Sequence, residues 1–232
     1  MRMPLLLIAS GIVSVLLAGC GSAARDDPET SRQAVPSPSA ARPSTTVTST
    51  KPAPTPAGAP AKGAPISDVI RWIEAGKRAD AQTFHAATRD GAAVALGDEV
   101  AFVTAGTEAN CVTNSHLDGA LSCLVKLTDP PPQPEAGDGV WKGNWVDFGG
   151  TSLDVGSTHG DPGPFVNGTG AELSAGQTLS FGDYRCRADA AGLFCVNYAY
   201  QSAVWMSAAG VEPFGCLQPA TPPPGIGRHF SC

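Results

Sequence analysis

The chain opens on an apolar run, Leu5 to Leu17, broken only by Ser10, Gly11 and Ser14. A stable membrane-spanning helix needs about 20 apolar residues, so this run is too short to cross a bilayer and suits the core of an export signal. Apolar patterning then lapses: across residues 24–65 the only larger aliphatics are Val35 and Val47, and no aromatic occurs. It returns at Ile66. Val69, Ile70 and Ile73 place an apolar stripe on one short helix, Asp68–Ala75, with Ser67 as its cap, Asp68 in the first turn and Gly76 as a stop. The stripe is expected to pack on a sheet.

Beyond Gly76 the pattern turns to short strands. They are predicted at Phe84–Arg89, Val100–Thr104, Ala109–Thr113, Leu121–Leu127, Trp145–Phe148, Thr151–Val155, Thr178–Phe181, Tyr184–Arg187, Phe194–Tyr200 and Ala203–Ser207. Most are bounded by Gly, Pro, Asn or Asp. Pro130 to Pro132 and Pro222 to Pro224 must lie outside central strands, because proline cannot donate to the ladder. Gly149 to Gly170, rich in Gly and Asp, reads as a long surface loop flanking one weak strand. The expected fold is mainly β, a small disulfide-linked antiparallel domain with one short N-terminal helix; an α+β arrangement is the alternative.

The apolar run ends in Leu17-Ala18-Gly19-Cys20, which resembles the lipobox of bacterial lipoproteins. Small residues at 18 and 19 can enter a narrow protease cleft, and the Cys20 thiol can accept diacylglycerol. The expected organisation is a signal peptide over 1–19, a lipidated Cys20 with a disordered Pro/Ala/Ser/Thr-rich tether over 20–65, and an extracytoplasmic domain over 66–232. The membrane is then a partner through the lipid on Cys20, on the outer face of the cell membrane. Prolines in the tether favour extended polyproline II, about 3.1 Å per residue.

Seven cysteines are present. With Cys20 lipidated, six remain. Cys111 and Cys123 flank an Asp118-Gly119 turn signal. If they face each other, Thr113 meets Leu121, Ala109 meets Val125, and Glu108 meets Lys126 in a favourable charge pair. Cys186 and Cys195 flank Asp189 to Gly192, a plausible turn, and facing cysteines there put Tyr184 opposite Asn197. Cys216 and Cys232 are left for each other, closing a Pro-rich tail onto the domain. The two hairpins resemble one another, each preceded by a strand carrying Phe102 or Phe181, as a duplicated unit would be. A metal site is the competing use of six cysteines, but no C-x-x-C pair occurs and the histidines are scattered.

Charge narrows the partners. The net charge is -6, and residues 66–232 hold 18 acidic and 9 basic side chains, a balance of -9. Such a surface repels phosphate backbones, so no nucleic acid is expected, and no basic patch suits anionic lipid head groups. No cofactor is implied. Ser157-Thr158-His159-Gly160-Asp161 holds Ser, His and Asp as near neighbours, but a triad brings such groups together from separate segments. Asp154, His159 and Asp161 are a weak alternative for a divalent cation, against their commoner use as turn formers. Asp183 beside Arg185 and Arg187 reads as surface charge. No catalytic and no metal residue is assigned. Trp141, Trp145 and Trp205, with Phe148, form a candidate platform that could stack on a sugar ring or acyl chain; the competing reading is that they fill the core.

Gly192-Leu193-Phe194-Cys195-Val196-Asn197, and the spacing from Phe102 to Cys111, resemble a group of actinobacterial exported proteins with paired-cysteine hairpins. The whole domain, from Ile66-Ser67-Asp68-Val69-Ile70 through Phe181 to Arg187 and Phe214 to Pro219, is similar to mycobacterial lipoproteins of the LppI type. The resemblance implies a lipoprotein of the mycobacterial envelope and brings no catalytic residue. The expected function is a non-enzymatic module binding an envelope glycan, lipid or protein; the alternative is an envelope hydrolase or other enzyme with a site assembled from distant residues.

Overall fold

The computed structural model describes residues 58–232. The expected signal peptide, Cys20 and the expected tether up to residue 57 lie outside the described residues. In chain order there are helix α1 (Ile66–Glu74) and strands β1 (Lys77–Arg78), β2 (Ala86–Arg89), β3 (Ala92–Ala95), β4 (Ala101–Thr104), β5 (Ala109–Asn114) and β6 (Ala120–Val125). Next come β7 (Val140–Phe148), β8 (Ser152–His159), β9 (Thr169–Glu172), β10 (Gln177–Phe181) and β11 (Tyr184–Asp189). The chain ends with β12 (Gly192–Asn197), β13 (Ser202–Ser207), β14 (Gly210–Phe214), β15 (Gln218–Ala220) and β16 (Ile226–Ser231). Among the described residues the fold is mainly β with a single α-helix. Among the described residues no helix is long and apolar enough to cross a membrane.

Two antiparallel meanders organise the molecule. β4 to β8 are successive neighbours in a ten-stranded sheet of order β15-β16-β8-β7-β6-β5-β4-β9-β2-β3. β10 to β14 are successive neighbours in a six-stranded sheet of order β1-β10-β11-β12-β13-β14. These sheets are larger than the small domain expected. In each meander the second and third strands carry a disulfide, Cys111–Cys123 in the first and Cys186–Cys195 in the second, with Cα atoms 4.0 Å apart in both. Both bridges are buried in the core that the two sheets share, with Phe102, Leu121, Val146, Phe148, Leu153 and Val155 from one and Leu179, Leu193, Val204 and Met206 from the other.

The hairpin registers follow the sequence argument. Ala109 faces Val125, Thr113 faces Leu121 and Tyr184 faces Asn197. Glu108 and Lys126 form the expected ion pair. The proposed duplication is corrected in one respect. Phe102 lies opposite Cys111, but its counterpart opposite Cys186 is Leu179; Phe181 lies two residues on, opposite Tyr184.

The helix starts at Ile66 after Pro65, without a side-chain cap; Ser67 does not cap it, and Asp68 pairs with Arg71 instead. Its stripe packs as expected. Val69, Trp72 and Ile73 cover Phe194, Val196, Ala203 and Phe214 on the outer face of the six-stranded sheet. The packing begins before Ile66: Ala59 and Ala64 lie against the same cluster, and Lys62 pairs with Glu212. Arg185 and Arg187, expected as free surface charge, tie the helix down. The Arg187 guanidinium lies 3.8 Å over the Trp72 ring and donates to the Trp72 carbonyl, while Arg185 reaches Glu74. Burial lowers the Arg187 pKa.

The Gly-rich stretch after Gly149, expected as a long loop flanking one weak strand at Thr151–Val155, keeps that strand and extends it to His159. It holds β8, paired to β7 on one side and β16 on the other, with Leu153 and Val155 in the core. The composition hid its continuation past Val155, where Gly156, at φ +75°, lies under Trp141 and a Cβ would come within 2.6 Å of the indole. Phe84 closes a short 3-10 turn, and the following strand starts at Ala86. The tail is no mere appendage, since β15 and β16 form a hairpin paired to β8 and closed by Cys216–Cys232. Pro213 and Pro219 sit in β14 and β15, the edge strands where a missing donor is tolerated.

Candidate functional site

A concave feature lies at one end of the two sheets, where turns from both meanders meet. One cavity, of about 460 Å³, is lined by Asp98 and Glu99, by Thr113, Ser115, Asp118 and Gly119 at the β5–β6 turn, and by Phe181 to Tyr184 at the β10–β11 turn. A second, of about 440 Å³, continues from Asp118, Asp183 and Tyr184 to Leu117, the β7–β8 turn at Gly149 to Asp154, Asn197 and Tyr200. Together they form one groove. The floor of the first cavity is apolar: Phe181 stacks on Tyr184, which packs edge-on against Phe148 in the core. Tyr184 donates to the Phe148 carbonyl over 3.0 Å, and burial raises its pKa.

The turns are held in place from beneath. Ser202 donates to the Gly150 carbonyl, and Cys232 N–H donates to Thr151. Gly150, at φ +87°, nests against Asn197 and Tyr200, where a Cβ would come within 2.6 Å of the tyrosine ring. Asn114 accepts from His116 N–H, and Glu99 accepts from Ser115 N–H, fixing the β5–β6 turn. Asp98, Glu99, Asp118, Asp154 and Asp183 line the groove, and among the described residues no Lys, Arg or His does. Of these five, only Asp154 has an ion-pair partner among the described residues, His229.

A second polar feature runs across the outer face of the ten-stranded sheet. Ser122, Asp147, Asp154 and His229 occupy facing positions on β6, β7, β8 and β16. Ser122 Oγ–H and Trp145 Nε1–H both donate to Asp147, the latter over 2.9 Å. His229 Nδ1 lies 2.6 Å from Asp154 Oδ1. Burial raises the Asp147 pKa above the ordinary carboxylate range, against the hydrogen bonds from Ser122 and Trp145 that lower it. Burial lowers the His159 pKa.

This row does not assemble a nucleophile. Ser122 is fully buried and its proton is committed to Asp147, with no imidazole within hydrogen-bond reach; a serine nucleophile needs access and an adjacent base. The Ser157 to Asp161 segment fares likewise. Thr158 donates to the Gly225 carbonyl, Asp161 accepts from Gly163 N–H, and His159 stacks on Trp145. Asp154, His159 and Asp161 are therefore not a cation site, and among the described residues no three His, Cys, Asp or Glu side chains converge where a metal ion could sit.

The aromatic platform is not formed, a correction to the sequence reading. Trp145 is 2% exposed, with His159 stacked at 3.6 Å and Phe165 edge-on at 4.9 Å. Phe148 is in the core. Trp141 packs over Gly156 and Gly227 beside Pro131. Trp205 is on the other sheet, parallel to Phe194 and donating to the Ala191 carbonyl. The cleft beside Trp145 holds about 170 Å³, below the range of roughly 300–1,000 Å³ usual for small-molecule sites. The groove was missed because its residues come from five separated turns. Its visible signals are Asp118-Gly119, which reads as a turn former, and Asp183, which reads as surface charge. No protein-family model, curated protein or solved structure matches the chain.

Proposed function

We propose that the protein is a lipoprotein of the cell envelope, tethered through Cys20, whose domain binds a partner without catalysing its conversion. The groove between the hairpin turns carries the binding half of this reading. It is concave, has an apolar floor in its first cavity and carries carboxylates without ion-pair partners among the described residues, while Ser122, Asp147, Asp154 and His229 of the sheet are occupied with one another. The tether half is supported by the apolar run ending at Cys20 and by three disulfides, which persist in oxidising compartments outside the cytoplasm.

Fractionation tests the anchor. The native chain should partition with membranes, and Cys20→Ala should accumulate as precursor or be released; an unchanged mature mass and unchanged partition would remove the lipoprotein reading. Incubation with purified envelope material tests the absence of catalysis. Soluble products that appear in proportion to added protein, and vanish with Asp154→Asn, would replace binding by hydrolysis.

A further inference from the structure

Resting on the reading of the groove as the binding site, we propose that its occupant is a cationic segment of a partner polypeptide that also carries apolar side chains. Three observations point to that chemistry. The first is charge: five carboxylates line the groove without one basic residue, and four of them lack an ion-pair partner among the described residues. The second is apolar exposure. Of four large hydrophobic side chains exposed among the described residues, Leu117 at 46% and Tyr200 at 51% both stand on this groove. Such side chains gain most when an apolar partner covers them.

The third is the spread of the charges. Asp98 and Glu99 mark one cavity, Asp118 and Asp183 the junction, and Asp154 the other cavity. They do not converge on a point, so a single metal ion is poorly served. Charges spaced along a groove, with Phe181, Tyr184, Leu117 and Tyr200 between them, fit a chain that alternates Lys or Arg with apolar residues. The carboxylates would steer the segment in and fix its register, and the aromatic floor would hold it.

The test uses the full chain, isotopically labelled, and a fluorescent peptide of about ten residues alternating Lys with Leu. Spermine, Ca²⁺ and a matched peptide with Glu for Lys serve as competing probes. The Lys/Leu peptide should bind and shift the amides of Asp118, Asp183 and Tyr200. Asp118→Asn with Asp183→Asn should weaken it about tenfold, and raising salt from about 50 to 500 mM should weaken it comparably. Tyr200→Ala should weaken it without altering the salt dependence. Equal binding of the Glu peptide, or binding unaffected by these variants, would overturn the proposal. Should only spermine or Ca²⁺ shift the groove amides, the groove stands as a site and the polypeptide class falls. Should no probe shift them, the reading of the groove as the site falls as well.

Discussion

The two meanders solve the inner face in the same way and the outer face in opposite ways. Each presents a buried disulfide between its second and third strands, flanked by Leu, Val and Phe, to one shared core. Outside, the six-stranded sheet is apolar and covered by α1, so β12 is buried along its whole length. The outer face of the ten-stranded sheet is covered in part by Phe165, packed with Ala87, Leu96, Ala101 and Val112, and elsewhere carries the row Ser122, Asp147, Asp154 and His229. The repeated element fixes only the interior. What each outer face becomes depends on the segment that lies over it, a helix on one side and the short 3-10 turn carrying Phe165 on the other.

The largest effects should come from the two covers. Trp72→Ala and Trp145→Ala each remove a buried indole and should each cost about 3–5 kcal/mol in urea unfolding. The two should differ in character, because Trp145→Ala also strips a donor from Asp147 and should change the pH dependence of stability, whereas Trp72→Ala should not. A loss below about 1 kcal/mol for Trp72→Ala would mean that the helix is not integral to the fold.

The bridges come next. Paired Cys→Ala replacement at 111/123 or at 186/195 should cost about 2–3 kcal/mol each from chain entropy, plus a contribution from the voids left in the core. The tail bridge spans 16 residues against 12 and 9, so chain entropy alone would make it the most valuable. Its cysteines are exposed, and we expect it to cost least. Denaturant midpoints of the three variants decide whether burial or loop length dominates. Peptide mapping of unreduced protein checks the pairing.

The pH response should belong to the ten-stranded sheet. Asp147 titrates higher in the folded state than unfolded, so the folded chain binds more protons between the two values. Stability should then fall as pH rises from the ordinary carboxylate range through the raised one, and Asp147→Asn should abolish that fall. His159 has the opposite sign. Its folded pKa is lowered, so stability should fall as pH drops from the ordinary imidazole range through the lowered one, and His159→Gln should flatten that limb. Denaturant midpoints across pH read both; unchanged profiles would show that neither group is held away from water. The smallest effect should be Glu108→Gln, below about 1 kcal/mol, because its pair with Lys126 is largely exposed.

Much of this architecture was legible where local rules suffice. The hairpin registers at Cys111–Cys123 and Cys186–Cys195 followed from turn residues and alternation, and the helix stripe at Val69 and Ile73 from its spacing. What stayed hidden depends on distant neighbours. β8 carries a glycine at Gly156 because Trp141 occupies the space outside it. β16 pairs with β8 from 69 or more residues away, with no turn to announce it. Trp145 looked available as a ligand surface because nothing in the sequence says that His159 and Phe165 cover it. The groove is a property of turns, where Gly and Asp serve the backbone and the surface at once.

The short segment from residue 58 to Pro65 also sets how the domain meets a mechanical load. A pull arriving along the chain from its N-terminal side reaches Ala59, the Lys62–Glu212 pair and then α1, before any strand of either sheet. The helix lies flat on β12 and is fastened at its far end by Arg187, so tension peels it from Ala59 inward and meets the Trp72 anchor late. Behind it, β1 pairs parallel to β10 through only Lys77 and Arg78. The helix and β1 are thus expected to yield before either disulfide-bridged meander does.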